Sequence, residues 1–165
     1  MPSATVLWKT RTSWRAKLHK PTLPKLVPVP EAMTARLGSG MMLIPTALEV
    51  DAMVRKIPCG QVSTLAQLRR KLARWHNADV TCPLVTGIFM RIVAEAAEED
   101  RLAGKQDITP YWRVVREEGK LNAKFPGGCR RAGAPPDGGR THGHWRQSPL
   151  AHATRGSDGQ GTRLI

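Results

Sequence analysis

A phenol, an indole and a guanidinium stand side by side at Tyr111, Trp112 and Arg113, bracketed by Pro110 and by Val114 and Val115. Acceptor or acid–base chemistry in such a run would fall to Tyr111. A tyrosine hydroxyl with a reference pKa near ~10 stays protonated at neutral pH and is a poor nucleophile, whereas a thiol near ~8.5 is readily activated. The thiols lie elsewhere, at Cys59, Cys82 and Cys129. They form no C-x-x-C pair and have no histidine at zinc-ligand spacing, so they do not read as a structural zinc site. Cys82 directly precedes Pro83, which suits the first turn of a helix, and a helix N-terminus lowers a thiol pKa. It is the candidate reactive thiol, with a structural or incidental cysteine as the competing reading; Cys59 reads as incidental. His142 and His144 form an isolated H-x-H without a third ligand. No catalytic residue is assigned on these grounds, and no metal or cofactor is expected.

Phosphate neutralisation is the other chemistry the residue types offer. The chain holds 26 Lys plus Arg against 13 Asp plus Glu, a formal charge of +13, which favours a polyanion, with nucleic acid ahead of an anionic membrane surface. Residues 1–40 hold seven basic side chains and one acidic, residues 41–128 thirteen and ten, and residues 129–165 six and two. Most of the excess therefore lies on the flanks. Within the middle segment, Arg69, Arg70, Lys71 and Arg74 are the dense cationic group, with Arg91, Lys120 and Lys124 as scattered additions. Each phosphate contact would add to a salt-dependent affinity; an ordinary solvated helix face is the alternative.

The elements that must carry these residues follow from caps and periodicity. Thr46 with Glu49, and Thr64 with Gln67, are capping boxes. Ala47, Val50 and Val54 give the first helix an apolar face, and Pro58 and Gly60 break it. Leu65, Leu68, Leu72 and Trp75 repeat at intervals of three and four, opposite Arg69, Arg70, Lys71 and Arg74. His76, Asn77 and Asp79 form a polar connection. Pro83 then opens a longer helix with a wide apolar stripe of Leu84, Ile88, Ile92 and Ala96, with Val85, Phe89 and Val93 beside it; it continues to Leu102 and stops at Gly104. Glu95, Glu98, Glu99 and Asp100 crowd the end of that helix, where they oppose its dipole and repel DNA, so its N-terminal part is the end expected to approach a polyanion. Short extended runs at 112–116 and 120–122 flank Glu117, Glu118 and Gly119 and suggest a small hairpin or wing.

The flanks read differently. Residues 1–40 form a basic, Pro-containing arm or linker, with a short helix around Trp14 and Leu18 that Pro21 must end. Residues 129–165 are rich in Arg and Gly and lack a periodic apolar face, which predicts disorder. Their composition also matches out-of-frame translation of GC-rich coding sequence, so a native tail and a frameshifted end are both open. No signal h-region and no apolar run of about 18 residues is present. The odd cysteine count suits a reducing cytoplasm.

Three segments in order carry a family resemblance. Ile57-Pro58-Cys59-Gly60-Gln61-Val62-Ser63-Thr64 resembles I-P-x-G-x-V-x-[ST], Pro83-Leu84-Val85-Thr86-Gly87 resembles the start of a recognition helix, and Pro110 to Val115 resembles P-C-H-R-V-V. These are motifs of the methylguanine-DNA methyltransferase family, and the resemblance covers residues 44–128. It implies a mainly α, winged helix-turn-helix-like DNA-binding domain at 41–128, with a small hairpin or wing and irregular tails. Tyr111 stands at the family's acceptor-cysteine position and Trp112 at its general-base histidine, so nucleophile and activator are both missing. Leu65 stands where the family has its base-rotating tyrosine, and its intercalating arginine falls near Pro83 or Leu84. An insertion separates Gly87 from Tyr111.

The resemblance implies a monomeric, non-enzymatic protein that binds double-stranded DNA, alkylated DNA included, works with a repair-protein partner and associates with the nucleoid in the cytoplasm. Its DNA contacts would come from Thr64, Arg69, Arg70, Lys71, Arg74, Thr86, Gly87, Arg91, Arg113 and Lys120. Tyr111 and Trp112 would line a lesion pocket beneath the start of the Pro83 helix, or pack in the core at the base of the wing. Alkyl transfer to a displaced cysteine such as Cys82, and a truncated remnant with nonspecific polyanion affinity, are the competing functions.

Overall fold

Reciprocal caps start the central helices where the sequence places them. The computed structural model describes residues 12–120 and 122–126. Helix α3 (Ala47–Arg55) opens on the Thr46–Glu49 box and α4 (Leu65–Trp75) on the Thr64–Gln67 box, each with both hydrogen bonds formed. Helix α5 (Pro83–Leu102) begins with Pro83 in its first turn and is followed by Gly104 at φ 79°. It is the longest helix described, and α3, α4 and the N-terminal segment pack against it.

Between the helices run short strands. Strands β1 (Lys25–Pro28), β2 (Met41–Ile44) and β4 (Val80–Thr81) form a mixed sheet in the order β1-β2-β4, with β1 antiparallel and β4 parallel to β2. Strand β3 (Ser63–Thr64) pairs in parallel with β5 (Val114–Val115). The domain is therefore α/β, with five helices and a small mixed sheet among the described residues. That is less purely helical than the sequence suggests. The strands are two to four residues long, too short to show an alternating pattern.

The expected arm at residues 1–40 belongs to the fold from residue 14 onward. Helix α1 (Trp14–Leu18) lies on α5, β1 forms a sheet edge, and α2 (Glu31–Leu37) bridges β1 to β2. Pro28 is tolerated because an edge strand has a free side. The acidic end of α5 explains the docking of α1. Glu99 accepts hydrogen bonds from the backbone N–H groups of Trp14 and Arg15, both at 2.8 Å, and Arg15 Nη1 donates to Asp100 at 3.0 Å. A carboxylate at a helix N-terminus meets unsatisfied donors and the positive end of the dipole. The acidic cluster thus holds the N-terminal segment in place.

Gly40 is required where β2 begins. Its φ is 119°, and a Cβ there would stand 2.2 Å from Asp79 Oδ2, which accepts from the Met41 N–H at 2.7 Å. The main core gathers Leu43, Val50, Val54, Leu68, Leu72, Met90, Val93 and Tyr111. A smaller cluster of Val29, Met42 and Cys82 lies beside the sheet. Beyond β5 the chain turns: Arg116 N–H donates to the Lys120 carbonyl at 2.8 Å and Gly119 N–H to the Arg116 carbonyl at 2.9 Å. Leu121, in the second run of the expected hairpin, lies outside the described residues. The C-terminal segment 129–165 lies outside the described residues, as do Cys129, His142 and His144.

Candidate nucleic-acid interface

The run from Thr109 to Val115 is a junction, and its polar groups point inward. A single 3₁₀ turn, Tyr111–Arg113, leads into β5. The Thr109 hydroxyl donates to the buried Asp51 carboxylate of α3. Tyr111 is 1% exposed, its hydroxyl donating to Glu98 Oε1 at 2.8 Å and lying 3.2 Å from the Pro126 carbonyl. Its ring meets Trp112 and Phe125 edge-on, with centroids 5.4 and 5.8 Å away. Arg113 Nη1 donates to the Ile57 carbonyl at 2.8 Å, tying the run to the Ile57-Pro58 turn. Asp51 in turn accepts from Arg55, whose charge is opposed by burial but held above its ordinary pKa by hydrogen bonds and attraction to Asp51 and Asp107.

Tyr111 therefore sits beside the C-terminal half of α5, not beneath its start, and acts as a core residue. Trp112, half-buried against the same core, shares that role. Of the two readings open at the sequence level, packing at the base of the last strand is the one the geometry supports.

The other site residues divide by exposure. Thr86 is 0% exposed, and its hydroxyl donates to the Cys82 carbonyl at 2.6 Å, so it faces protein, not a duplex. Thr64 is occupied as the cap of α4. Arg69 is half-buried on the side of α4 that carries Leu65 and Leu72, four residues before it and three after, so it leaves the cationic group. Arg70, Lys71 and Arg74 remain exposed on the outward face. Cys82 is buried in the small apolar cluster, with no side-chain hydrogen bond to the helix it precedes; its thiol is not presented to a macromolecular substrate. Lys120 is exposed on the last turn.

Helix α5 presents a different outward face than the apolar stripe suggested. Its buried line runs through Thr86, Met90, Val93 and Ala97, leaving Leu84 at 68% and Ile88 at 52% exposure. Gly87 lies between them, and a Cβ there would meet nothing within 4 Å. Gly87 is thus required neither for helix packing within the chain nor by its backbone. One turn on, Arg91 is exposed and approaches Glu95 at 3.8 Å. Burial raises the Glu95 carboxyl above its ordinary range; Arg91 works against that shift, while Glu98 and Glu99 add to it.

Comparison with protein-family models, curated proteins and solved structures found no match. The surface itself carries the argument. Among the described residues Arg70, Lys71 and Arg74 have no ion-pair partner, whereas Arg15, Arg55, Arg91, Arg101, Lys105 and Arg116 each lie within 4.0 Å of a carboxylate. Other cations such as Lys20, Lys25, Arg36 and Lys124 are also without a carboxylate, and what sets the α4 group apart is that its members lie within five residues on the exposed side of one helix. Two features of this surface were hidden in the sequence. Trp75 closes the apolar repeat of α4 but is 54% exposed, with Lys56 Nζ 4.7 Å from its ring centroid. Leu84 and Ile88 are likewise outside the core. Lys71 precedes Trp75 by four residues, which marks Trp75 as the border between two faces; that spacing was the available signal.

Among the described residues no helix is long and apolar enough to cross a membrane.

Proposed function

We propose that the chain is a non-enzymatic DNA-binding module that meets duplex DNA with the outward face of α4 and the exposed N-terminal half of α5, in a winged helix-turn-helix-like arrangement. The observation that carries this reading is the unpaired cationic face of Arg70, Lys71 and Arg74. Cations without carboxylate partners keep their charge for phosphates, and each neutralised phosphate releases counterions, so affinity falls steeply with salt. Gly87 and the side chains of Leu84, Ile88 and Arg91 give α5 a surface open to a second contact.

The resemblance to the methylguanine-DNA methyltransferase family supports a DNA partner. It gives less support to lesion sensing, because the buried Tyr111 would have to leave Glu98 and the core before a rotated base entered its place. The burial of Cys82 argues in the same direction against alkyl transfer.

A titration of duplexes containing guanine or methylguanine across a salt series tests the proposal. Binding of both at low salt, weakening as salt rises, is the expected result. A preference for the methylguanine duplex would extend the reading to DNA repair and a repair partner, and failure to bind either duplex at low salt would overturn it. Removal of residues 129–165 should leave binding in place; its loss would assign the affinity to the Arg-rich tail instead.

A further inference from the structure

Trp75 is the large aromatic that the described fold leaves half in water. Trp14 and Trp112 are both half-buried against the main core, and their surroundings are unsuited to an anion or closed to it. Trp14 has Lys17 Nζ 4.0 Å from its ring centroid, but its backbone N–H is held by Glu99, which places a carboxylate beside it, and Trp112 packs against Tyr111. Trp75 differs on both counts. It is the last residue of α4 and 54% exposed, Lys56 Nζ lies over its ring, and the exposed Lys71, four residues earlier, and Arg74, one residue earlier, share its helix. Glu49, the carboxylate that reaches the neighbouring His76, is already engaged. Its Oε1 is 2.7 Å from His76 Nε2, and its Oε2 accepts from the Thr46 N–H at 2.7 Å. The His76 ring, tilted 42° to the indole at 5.8 Å, braces one side of it.

An exposed indole edged by unpaired cations is the composition of a base-stacking platform. Every nucleobase offers a π-face, and the flanking phosphates need positive charge within reach. We infer that Trp75, with Lys56, Lys71 and Arg74, stacks an unpaired DNA base at the border of the duplex-binding face. The module thereby favours junctions between double- and single-stranded DNA. The inference rests on the proposed DNA-binding reading and deepens it. On binding, Lys56 leaves the ring for a phosphate, which its exposed position and flexible stem allow, and the base takes its place against the indole.

The test compares a blunt duplex with the same duplex carrying a short single-stranded extension, by fluorescence anisotropy of labelled DNA at low salt. The native chain should bind the extended duplex at least fivefold more tightly. Trp75→Ala should remove that preference, since base–aromatic stacking by alanine substitution is worth about five- to 150-fold, while binding to the blunt duplex changes less than twofold. Trp75→Phe should keep most of the preference. Retained blunt-duplex binding shows that each variant is folded. Should Trp75→Ala lose it, Trp75→Phe decides through a second readout, the loss of the tryptophan quenching that the extension causes in the native chain. An equal affinity of the native chain for both duplexes overturns the inference and leaves duplex binding standing, as does a preference that survives in Trp75→Ala. A Trp75→Ala effect confined to self-association overturns it too, by assigning the indole to a second copy. Failure of the native chain to bind the blunt duplex at any salt is a different result, and removes the parent reading with it.

Discussion

The acidic end of α5 and the outward face of α4 are both dense in charge, yet they do opposite work. At the end of α5, Glu98, Glu99 and Asp100 meet Arg101, the backbone of Trp14 and Arg15, the Arg15 side chain and Lys105. Those charges close on one another and hold α1 to the body of the domain. On α4, Arg70, Lys71 and Arg74 meet no carboxylate among the described residues. Charge count therefore says little about function in either region. What separates a structural charge from a binding charge is whether the fold supplies a counter-charge within reach, and that depends on α1 crossing about 85 residues of sequence to reach α5.

That contrast can be broken experimentally, and the largest effect is expected on α4. Reversal of Arg70, Lys71 and Arg74 to Glu should lower duplex affinity at least ~100-fold at low salt and flatten the dependence of log K on log salt by nearly one unit per lost phosphate contact, with the melting temperature little changed. An unaltered affinity would show that the unpaired face is only solvated surface.

The opposite pattern is expected on α5. Glu99→Ala leaves two N–H groups of α1 without their acceptor and should destabilise the fold by about 2 kcal/mol in a denaturant titration. Duplex affinity should stay within twofold. Tyr111→Phe deletes the hydroxyl that reaches Glu98 inside the core, and should cost about 1 to 2 kcal/mol, again without loss of DNA binding. A selective loss of affinity for a methylguanine duplex in that variant would return Tyr111 to a lesion pocket.

The smallest effect concerns Glu95, one turn before the acidic end of α5. Its carboxyl is raised in the folded chain, first by burial and further by Glu98 and Glu99, with Arg91 opposing. The folded state therefore holds a proton on this group over a range where the unfolded chain has released it. The resulting stabilisation is fully present below the unfolded carboxylate pKa and is lost as pH rises through the raised folded value. Glu95→Gln should flatten the pH dependence of stability in that window and slightly raise stability at neutral pH. Identical pH profiles for the two proteins would show that Arg91 fully compensates the burial.

Local signals in the sequence were reliable wherever the interaction that makes the structure is itself local. Both capping boxes act between residues three apart, and Pro83 and Gly104 mark the limits of α5 through backbone conformation alone. The α5 stripe was harder. Residues 84–97 are apolar on more than one side, so periodicity cannot set the phase: Val93 and Ala96 of the expected stripe are buried, but the core took Thr86, Met90 and Ala97 with them and left Leu84 and Ile88 outside. Arg69 shows the same limit: the helix turns about 100° per residue, so of these three successive cations Arg70 and Lys71 are exposed while Arg69 falls half-buried beside Leu65 and Leu72.

The sequence by itself determined the helical limits and caps, the cationic run of α4 and the absence of a thiol at position 111, because each depends on residue identity or short-range geometry. Tertiary structure alone decided that Tyr111 and Arg113 are structural and that residues 14–40 include a strand and two helices of the fold. It also decided that the acidic cluster is neutralised while the α4 cations are not. Each of these rests on partners tens of residues away, and no local pattern encodes which distant group will arrive.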